Sequence, residues 1–192
     1  MGKTVGVRET FFCAMKDLLA MAGPMKSVYV AYSGGADSAA LLTLMHEYAA
    51  ETHIPITAVH VHHGIRGAEA DGDAELCRDF CAARDIPLVI RHVDVPALAK
   101  EWSVGIEEAA RRARYGIFEE LTAGKDGAFV ATAHSADDNL ETVLFHMLRG
   151  AGTAGMCGIP AWRGRYIRPM LGCTAREIRE FCREENVPFV VD

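Results

Sequence analysis

Six consecutive residues, Ser33-Gly34-Gly35-Ala36-Asp37-Ser38, bring together two hydroxyls, two glycines and one carboxylate. Glycines let a backbone approach a ligand closely and take dihedrals other residues avoid. Successive N–H groups in such a turn form a concavity that binds anions. Ser33 and Ser38 can each donate one further hydrogen bond. A carboxylate repels phosphate, so Asp37 fits only if it faces a hard cation such as Mg²⁺, which takes oxygen ligands. The chemistry is therefore phosphate binding with a metal ion. The plain alternative is a glycine turn with a serine cap. The chain has no G-x-x-x-x-G-K-[ST] run, which disfavours a Walker-type phosphate loop.

Further along lie other groups able to do chemistry. Arg114 can pair with phosphate oxygens. His134 and Asp138 sit just past a short apolar run, where a proton relay or a cation partner would be placed. Each has a bland counterpart. Asp137 and Asp138 open a helical segment, where acids suit the helix dipole. Being adjacent, they point in different directions and do not form a cooperating pair. Arg111, Arg112 and Arg114 fall in a charge-rich helical segment, in which Glu107 and Arg111 stand four apart. His60, His62 and His63 alternate along a strand-like run, with His60 and His62 on one face and His63 beyond its end, which does not favour a metal cluster.

The elements that must hold these groups follow from periodicity. Helical spacing covers 8–21, closed by Gly23-Pro24, then 38–50, 69–84, 106–121, 137–148 and a segment opened by Thr174 with Glu177 in a capping box. Short β-rich runs cover 28–32, 56–61, 88–93, 128–132 and 189–191. Strands alternating with helices, several of them continuous apolar runs, predict a Rossmann-like three-layer α/β/α domain over 1–192 with a mainly parallel five-stranded sheet. In such sheets ligands bind at the carboxyl ends of the strands, where the polar motifs fall. Residues 150–172, with six glycines and two prolines, read as a loop region. Its Gly150-Ala151-Gly152-Thr153-Ala154-Gly155 matches G-x-G-x-x-G but follows a helix, whereas the dinucleotide fingerprint requires a strand before it.

Composition sets the outer limits. A chain of 192 residues, 50% hydrophobic and 24% charged, suits one globular domain. The net charge of −6 means that a nucleic acid would be held by a local patch rather than by bulk charge. From Thr142 to Arg176 there are five arginines and no acid, interleaved with Trp162 and Tyr166, a composition suited to RNA phosphates and unstacked bases. No run approaches the roughly 18 apolar residues of a membrane span. The start, Met1-Gly2-Lys3-Thr4, leads into no uninterrupted apolar stretch, so no secretory signal or membrane partner is expected. The six scattered cysteines are expected to be reduced thiols of a cytoplasmic protein.

The loop Ser33–Ser38 resembles the SGGxDS loop of the PP-loop ATP pyrophosphatases, which cleave ATP between the α and β phosphates. Four further stretches resemble one branch of that superfamily, the tRNA(Ile)-lysidine synthetases. They are His60-Val61-His62-His63-Gly64-Ile65-Arg66, Gly105-Ile106-Glu107 through Arg114-Tyr115, Thr132-Ala133-His134-Ser135-Ala136-Asp137-Asp138-Asn139 with Glu141-Thr142, and Arg168-Pro169-Met170-Leu171. The resemblance spans Val28 to Asp192. It implies an ATP- and Mg²⁺-dependent ligase that adenylates the wobble cytidine of a CAU-anticodon isoleucine tRNA, releases pyrophosphate and joins free lysine with release of AMP.

The resemblance implies an ATP site of Ser33, Gly34, Gly35, Ala36, Asp37, Ser38, Val61 and His62, with Asp37 facing Mg²⁺. It implies Asp37, Arg114, His134 and Asp138 as the catalytic set, Asp138 acting on the lysine amine. The basic stretch then supplies Arg149, Arg163, Arg165 and Arg168 for tRNA, and a homodimer stands as an open expectation. Asn139 departs from the glutamine common in the family, and the family usually continues into further tRNA-binding domains. Two rivals stand beside this reading. A tRNA-thiolating enzyme of the same superfamily would use C-x-x-C, whereas Cys77 and Cys81 are C-x₃-C. A non-catalytic adenine-nucleotide module would need the loop alone.

Overall fold

The structure is a computed structural model that describes residues 6–64, 68–150 and 157–190, without the side chains of residues 68–71. Helix α1 (Val7–Ala22) leads into β1 (Ser27–Ala31), α2 (Ala36–Thr52), β2 (Ile56–His62), α3 (Ala68–Ala82) and β3 (Leu88–His92). Then come α4 (Val95–Trp102), α5 (Ile106–Thr122), β4 (Ala128–Ala131), α6 (Ala136–Leu148), a hairpin of β5 (Trp162–Arg163) and β6 (Tyr166–Ile167), and α7 (Ala175–Glu184). Among the described residues the sheet runs β3-β2-β1-β4-β6-β5. Every pairing is parallel except β5 with β6.

Strand alternation sorts side chains to the two sheet faces. Val28 and Val30 of β1, with Phe129 and Ala131 of β4, join the main core. That core takes Phe11, Met15 and Leu18 from α1, the leucines of α2, and Ile178, Phe181 and Cys182 from α7. The intervening residues, Tyr29, Ala31 and Val130, turn the other way and meet Phe118, Ile117 and Leu121 of α5. Helices on both faces of a mainly parallel sheet give the three-layer α/β/α architecture expected from the sequence.

Three local details differ from expectation. The sheet has six strands among the described residues, not five, because the glycine-rich segment folds its Trp162–Ile167 part into a hairpin on the sheet edge. Gly164, at φ 59°, makes that turn. The terminal run expected as a strand contributes a single parallel bridge, Gly35 with Val190, and Val191 lies outside the described residues. Helix α4 has no counterpart among the elements expected from periodicity: it is eight residues long with a proline in its first turn, and the Asp94 side chain caps it by accepting the Ala97 N–H at 3.0 Å. Ile65, Arg66 and the stretch 151–156, which holds most of the G-x-G-x-x-G match, lie outside the described residues. Among the described residues no helix is long and apolar enough to cross a membrane.

Candidate functional site

A cavity of about 340 Å³ opens beyond the carboxyl ends of β1, β2 and β4. From β1 the connections lead to β2 on one side, and β4 pairs on the other, so the cavity lies where the strand order reverses. Tyr32, Ser33, Asp37 and Ser38 form one wall. Val59, Val61 and His63 come from β2 and its end, and Arg111, Arg114, Tyr115 and Phe118 from α5. Thr132, Ala133, His134 and Asp138 close the side beyond β4.

The loop after β1 is tied to itself. The Ser33 N–H donates to Ser38 Oγ at 3.2 Å, the two serine hydroxyls lie 3.1 Å apart, and Ser38 Oγ donates to the Gly35 carbonyl at 3.0 Å. Helix α2 thus begins at Ala36, with Gly35 rather than Ser38 at its cap. Gly34 has φ 95°, a conformation that requires glycine, whereas Gly35 is ordinary extended backbone at φ −71°. Conformation therefore explains only the first of the two glycines. The first turn of α2 has N–H groups with no intrahelical acceptor, the usual means of holding an anion.

Asp138 is held by a capping box. The Ser135 N–H and hydroxyl both donate to its Oδ2, at 2.7 and 2.8 Å, while the Asp138 N–H donates back to Ser135 Oγ at 3.3 Å. Both incoming bonds fall on Oδ2, which leaves Oδ1 for a ligand. Asp137 goes elsewhere: its Oδ2 accepts the Ala175 N–H at 2.7 Å, at the start of α7. The divergence expected for adjacent helical residues is what the structure shows. His134 is fixed through Nδ1, 3.0 Å from Thr132 Oγ1. Burial first, then the charges of Arg168, Arg111 and Arg114, holds its imidazole below the usual histidine range, against the pull of Asp138. Asp37 is pushed above the usual carboxylate range by burial and then by Asp138, with Arg179 opposing.

Arg114 reaches the cavity, and burial pulls its guanidinium below the usual arginine range. Arg111, absent from the expected set, also lines the cavity and lies 5.1 Å from the centre of the Tyr115 ring. No ion pair joins it to Glu107 among the described residues. The signal was its three-residue spacing from Arg114, which puts both guanidiniums on one helix face, whereas Arg112 turns to Trp102 at 4.7 Å. Val61 of β2 lines the cavity together with His63 just past the strand, while the His62 ring lies tilted against that of His92, centroids 4.8 Å apart. His60 is buried away from the cavity, its Nδ1 2.9 Å from the Tyr32 carbonyl oxygen and 3.4 Å from Cys77 Sγ.

The four arginines expected at RNA divide. Arg149, Arg163 and Arg165 are exposed, Arg149 lying 4.1 Å from the centre of the Phe145 ring. Arg165 donates to the Lys125 and Ala128 carbonyls at 2.7 and 3.3 Å, bracing the turn before β4. Arg168 is 8% exposed and donates to the Pro160 carbonyl at 2.8 Å. Its burial removes it from the open surface and sets its charge behind His134. Sequence alone gives no sign of this split, because all four sit in one glycine- and arginine-rich stretch without a regular period.

A sequence profile of the PP-loop domain matches residues 9–192. The chain belongs to the PP-loop domain family. Among curated relatives, the tRNA(Ile)-lysidine synthase of Chlorobaculum tepidum is 40% identical over 161 residues, covering 84% of this chain and 49% of that protein. The same-named protein of Alkalilimnicola ehrlichii is 41% identical over 167 residues, covering 85% and 36%. This PP-loop chain thus spans half or less of the length of these relatives. Among solved structures, the U34-tRNA thiolase NcsA of Methanococcus maripaludis superimposes with a TM-score of 0.76 at 20% identity, covering 96% of this chain and 65% of that one. The NH3-dependent NAD synthetase of Campylobacter jejuni gives 0.62 at 18%, covering 94% and 72%. At such identities these likenesses speak to the PP-loop fold alone.

Proposed function

We propose that this PP-loop domain binds ATP with Mg²⁺, adenylates the wobble cytidine of a CAU-anticodon isoleucine tRNA and presents the adenylate to free lysine, giving lysidine. The observation that carries the reading is one cavity that gathers the Ser33–Ser38 loop, two arginines of α5, and His134 with Asp138. The tRNA(Ile)-lysidine synthase names of the relatives support the choice of substrate.

The loop and the start of α2 hold phosphate oxygens through N–H groups and the serine hydroxyls. The cytosine carbonyl oxygen attacks the α-phosphorus. A phosphorus–oxygen bond forms, the bond to the bridging oxygen breaks, and pyrophosphate leaves. Arg111 and Arg114 face the charge that builds on the phosphoryl oxygens. Asp37 and Asp138 raise a carboxylate–carboxylate conflict that a divalent cation relieves, so the donor set fits Mg²⁺, with Asp37 as its holder. When bound, Mg²⁺ neutralises charge on the departing pyrophosphate. Asp138 takes a proton from the lysine ammonium through Oδ1. The freed amine attacks the carbon that carried the activated oxygen, and AMP leaves with that oxygen. His134, held neutral, offers a hydrogen bond to the phosphate without a full charge.

A thiolating reading would need cysteines at the cavity. Cys77, Cys81, Cys173 and Cys182 are buried in the core, and none lines it. The test is incorporation of labelled lysine into CAU-anticodon isoleucine tRNA in the presence of Mg-ATP. Lysine-dependent label in the tRNA, lost in Asp138→Asn, supports the reading. Label absent while sulfur donors are incorporated would replace it with thiolation.

A further inference from the structure

The loop Ser33–Ser38 has a second support that the proposed chemistry does not use. After α7 the chain turns at Asn186, in the left-handed conformation at φ 53°, and crosses beneath the loop. There the Val190 N–H donates to the Gly34 carbonyl at 2.9 Å, within the bridge from Val190 to Gly35. Cys182 Sγ, two residues before the end of α7, donates to the Ala36 carbonyl at 3.5 Å. Between them, the Gly35 carbonyl accepts from Ser38 Oγ and from the Ala39 N–H. The consecutive carbonyls of Gly34, Gly35 and Ala36 are therefore each pinned to a donor of the protein.

Pinning a carbonyl fixes the amide that follows it. A trans peptide is planar, so C=O and the next N–H point in opposite directions, and the described chain has no cis bond. Holding the Gly34 carbonyl against Val190 turns the Gly35 N–H away from the C-terminal segment. An anion-binding turn needs this division, amides to one side and carbonyls to the other. Were the Gly34 peptide to flip, a carbonyl oxygen would face the anion instead. Gly34 is the residue most able to allow that flip, because glycine has the widest conformational range.

We infer that Val190 is a positioning residue for the nucleotide site: its backbone N–H, acting through the Gly34 carbonyl, holds the Gly34–Gly35 peptide in the orientation that binds phosphate. The inference rests on the reading of the loop as a nucleotide site. It makes the segment 186–190, distant in sequence, part of that site. By linkage, a ligand that stabilises the loop also stabilises the Val190 bond.

Amide hydrogen exchange on the wild-type protein, with and without Mg-ATP, tests this without any substitution. Mg-ATP should slow exchange in residues 33–38 and at the Val190 amide together. Protection of the loop with the Val190 amide unchanged overturns the inference and leaves the nucleotide reading standing. A loop that Mg-ATP does not protect overturns both. Variants sharpen the result. Val190→Pro removes the N–H and should raise the KM for ATP about tenfold while kcat stays within about twofold. Val190→Ala keeps the N–H and should restore the wild-type KM. An alanine variant that fails as the proline variant does would assign the effect to side-chain packing against Gly34 and overturn the inference.

Discussion

Asp137 and Asp138 are neighbours in sequence whose carboxylates serve different elements. Asp137 accepts the Ala175 N–H and fastens the start of α7, while Asp138 folds back on Ser135 and borders the cavity. Single substitutions should therefore separate structure from chemistry. Asp137→Ala removes a helix-terminal acceptor and should cost roughly 1 kcal/mol of stability with kcat nearly unchanged. Asp138→Asn should lower turnover by about a hundredfold or more, as loss of a general base does, with a smaller change in melting temperature. Urea unfolding beside single-turnover kinetics reads both, and equal losses of activity in the two variants would contradict the assignment.

The paired arginines of α5 give a second expectation. Arg111 and Arg114 face one ligand, so removing either should weaken stabilisation of the phosphoryl charge by a factor of about a hundred in kcat. Arg112, on Trp102, should tolerate alanine with activity nearly intact. Kinetics of the three alanine variants under saturating ATP check the pattern. An Arg112→Ala loss as large as that of Arg114→Ala would show that helix integrity, not the cavity, is being measured.

RNA binding should divide as the arginines do. Arg149→Ala and Arg163→Ala should weaken tRNA binding and flatten its salt dependence by roughly one unit of log–log slope per lost phosphate contact. Arg165→Ala and Arg168→Ala should act on folding, since their guanidiniums hold the Lys125 and Pro160 carbonyls. Filter binding across a salt series, together with melting curves, distinguishes the two pairs. A change in salt slope for Arg165→Ala with unaltered melting would contradict this division.

Stability should fall on the acid side. His60, His63 and His134 are all held below the usual histidine range, in each case by burial first. A histidine lowered in the folded state protonates more readily when unfolded, so its contribution is complete above the ordinary value of about 6.5 and is lost as pH falls through the folded value. Urea midpoints should therefore drop between about pH 7.5 and 5.5, and the drop should shrink in His60→Asn. A midpoint that rises on acidification would refute the argument.

Much of this was legible in the sequence because local rules and tertiary structure agree. The capping box of Thr174 and Glu177 is present as read, with the Thr174 N–H and hydroxyl donating to Glu177 at 2.8 and 2.7 Å. The loop after β1 and the His134–Asp138 stretch lie where strand ends put them. What escaped reading depended on tertiary partners. The burial of Arg168 follows from a hairpin placed by its pairing with β4 at the sheet edge, and such two-residue strands carry no periodicity. His63 rather than His62 borders the cavity because alternate residues along β2 share a face, so Val59, Val61 and His63 point one way and His62 the other. The contact between Val190 and Gly34 joins residues far apart in sequence, which no pattern within one window can show.

The most direct test of the account is the identity of the nucleotide products. The protein is incubated with Mg-ATP and CAU-anticodon isoleucine tRNA, with and without lysine. The account predicts AMP and pyrophosphate, dependent on tRNA, with AMP release raised by lysine and both lost in Asp37→Ala. ADP and inorganic phosphate as the products would contradict it.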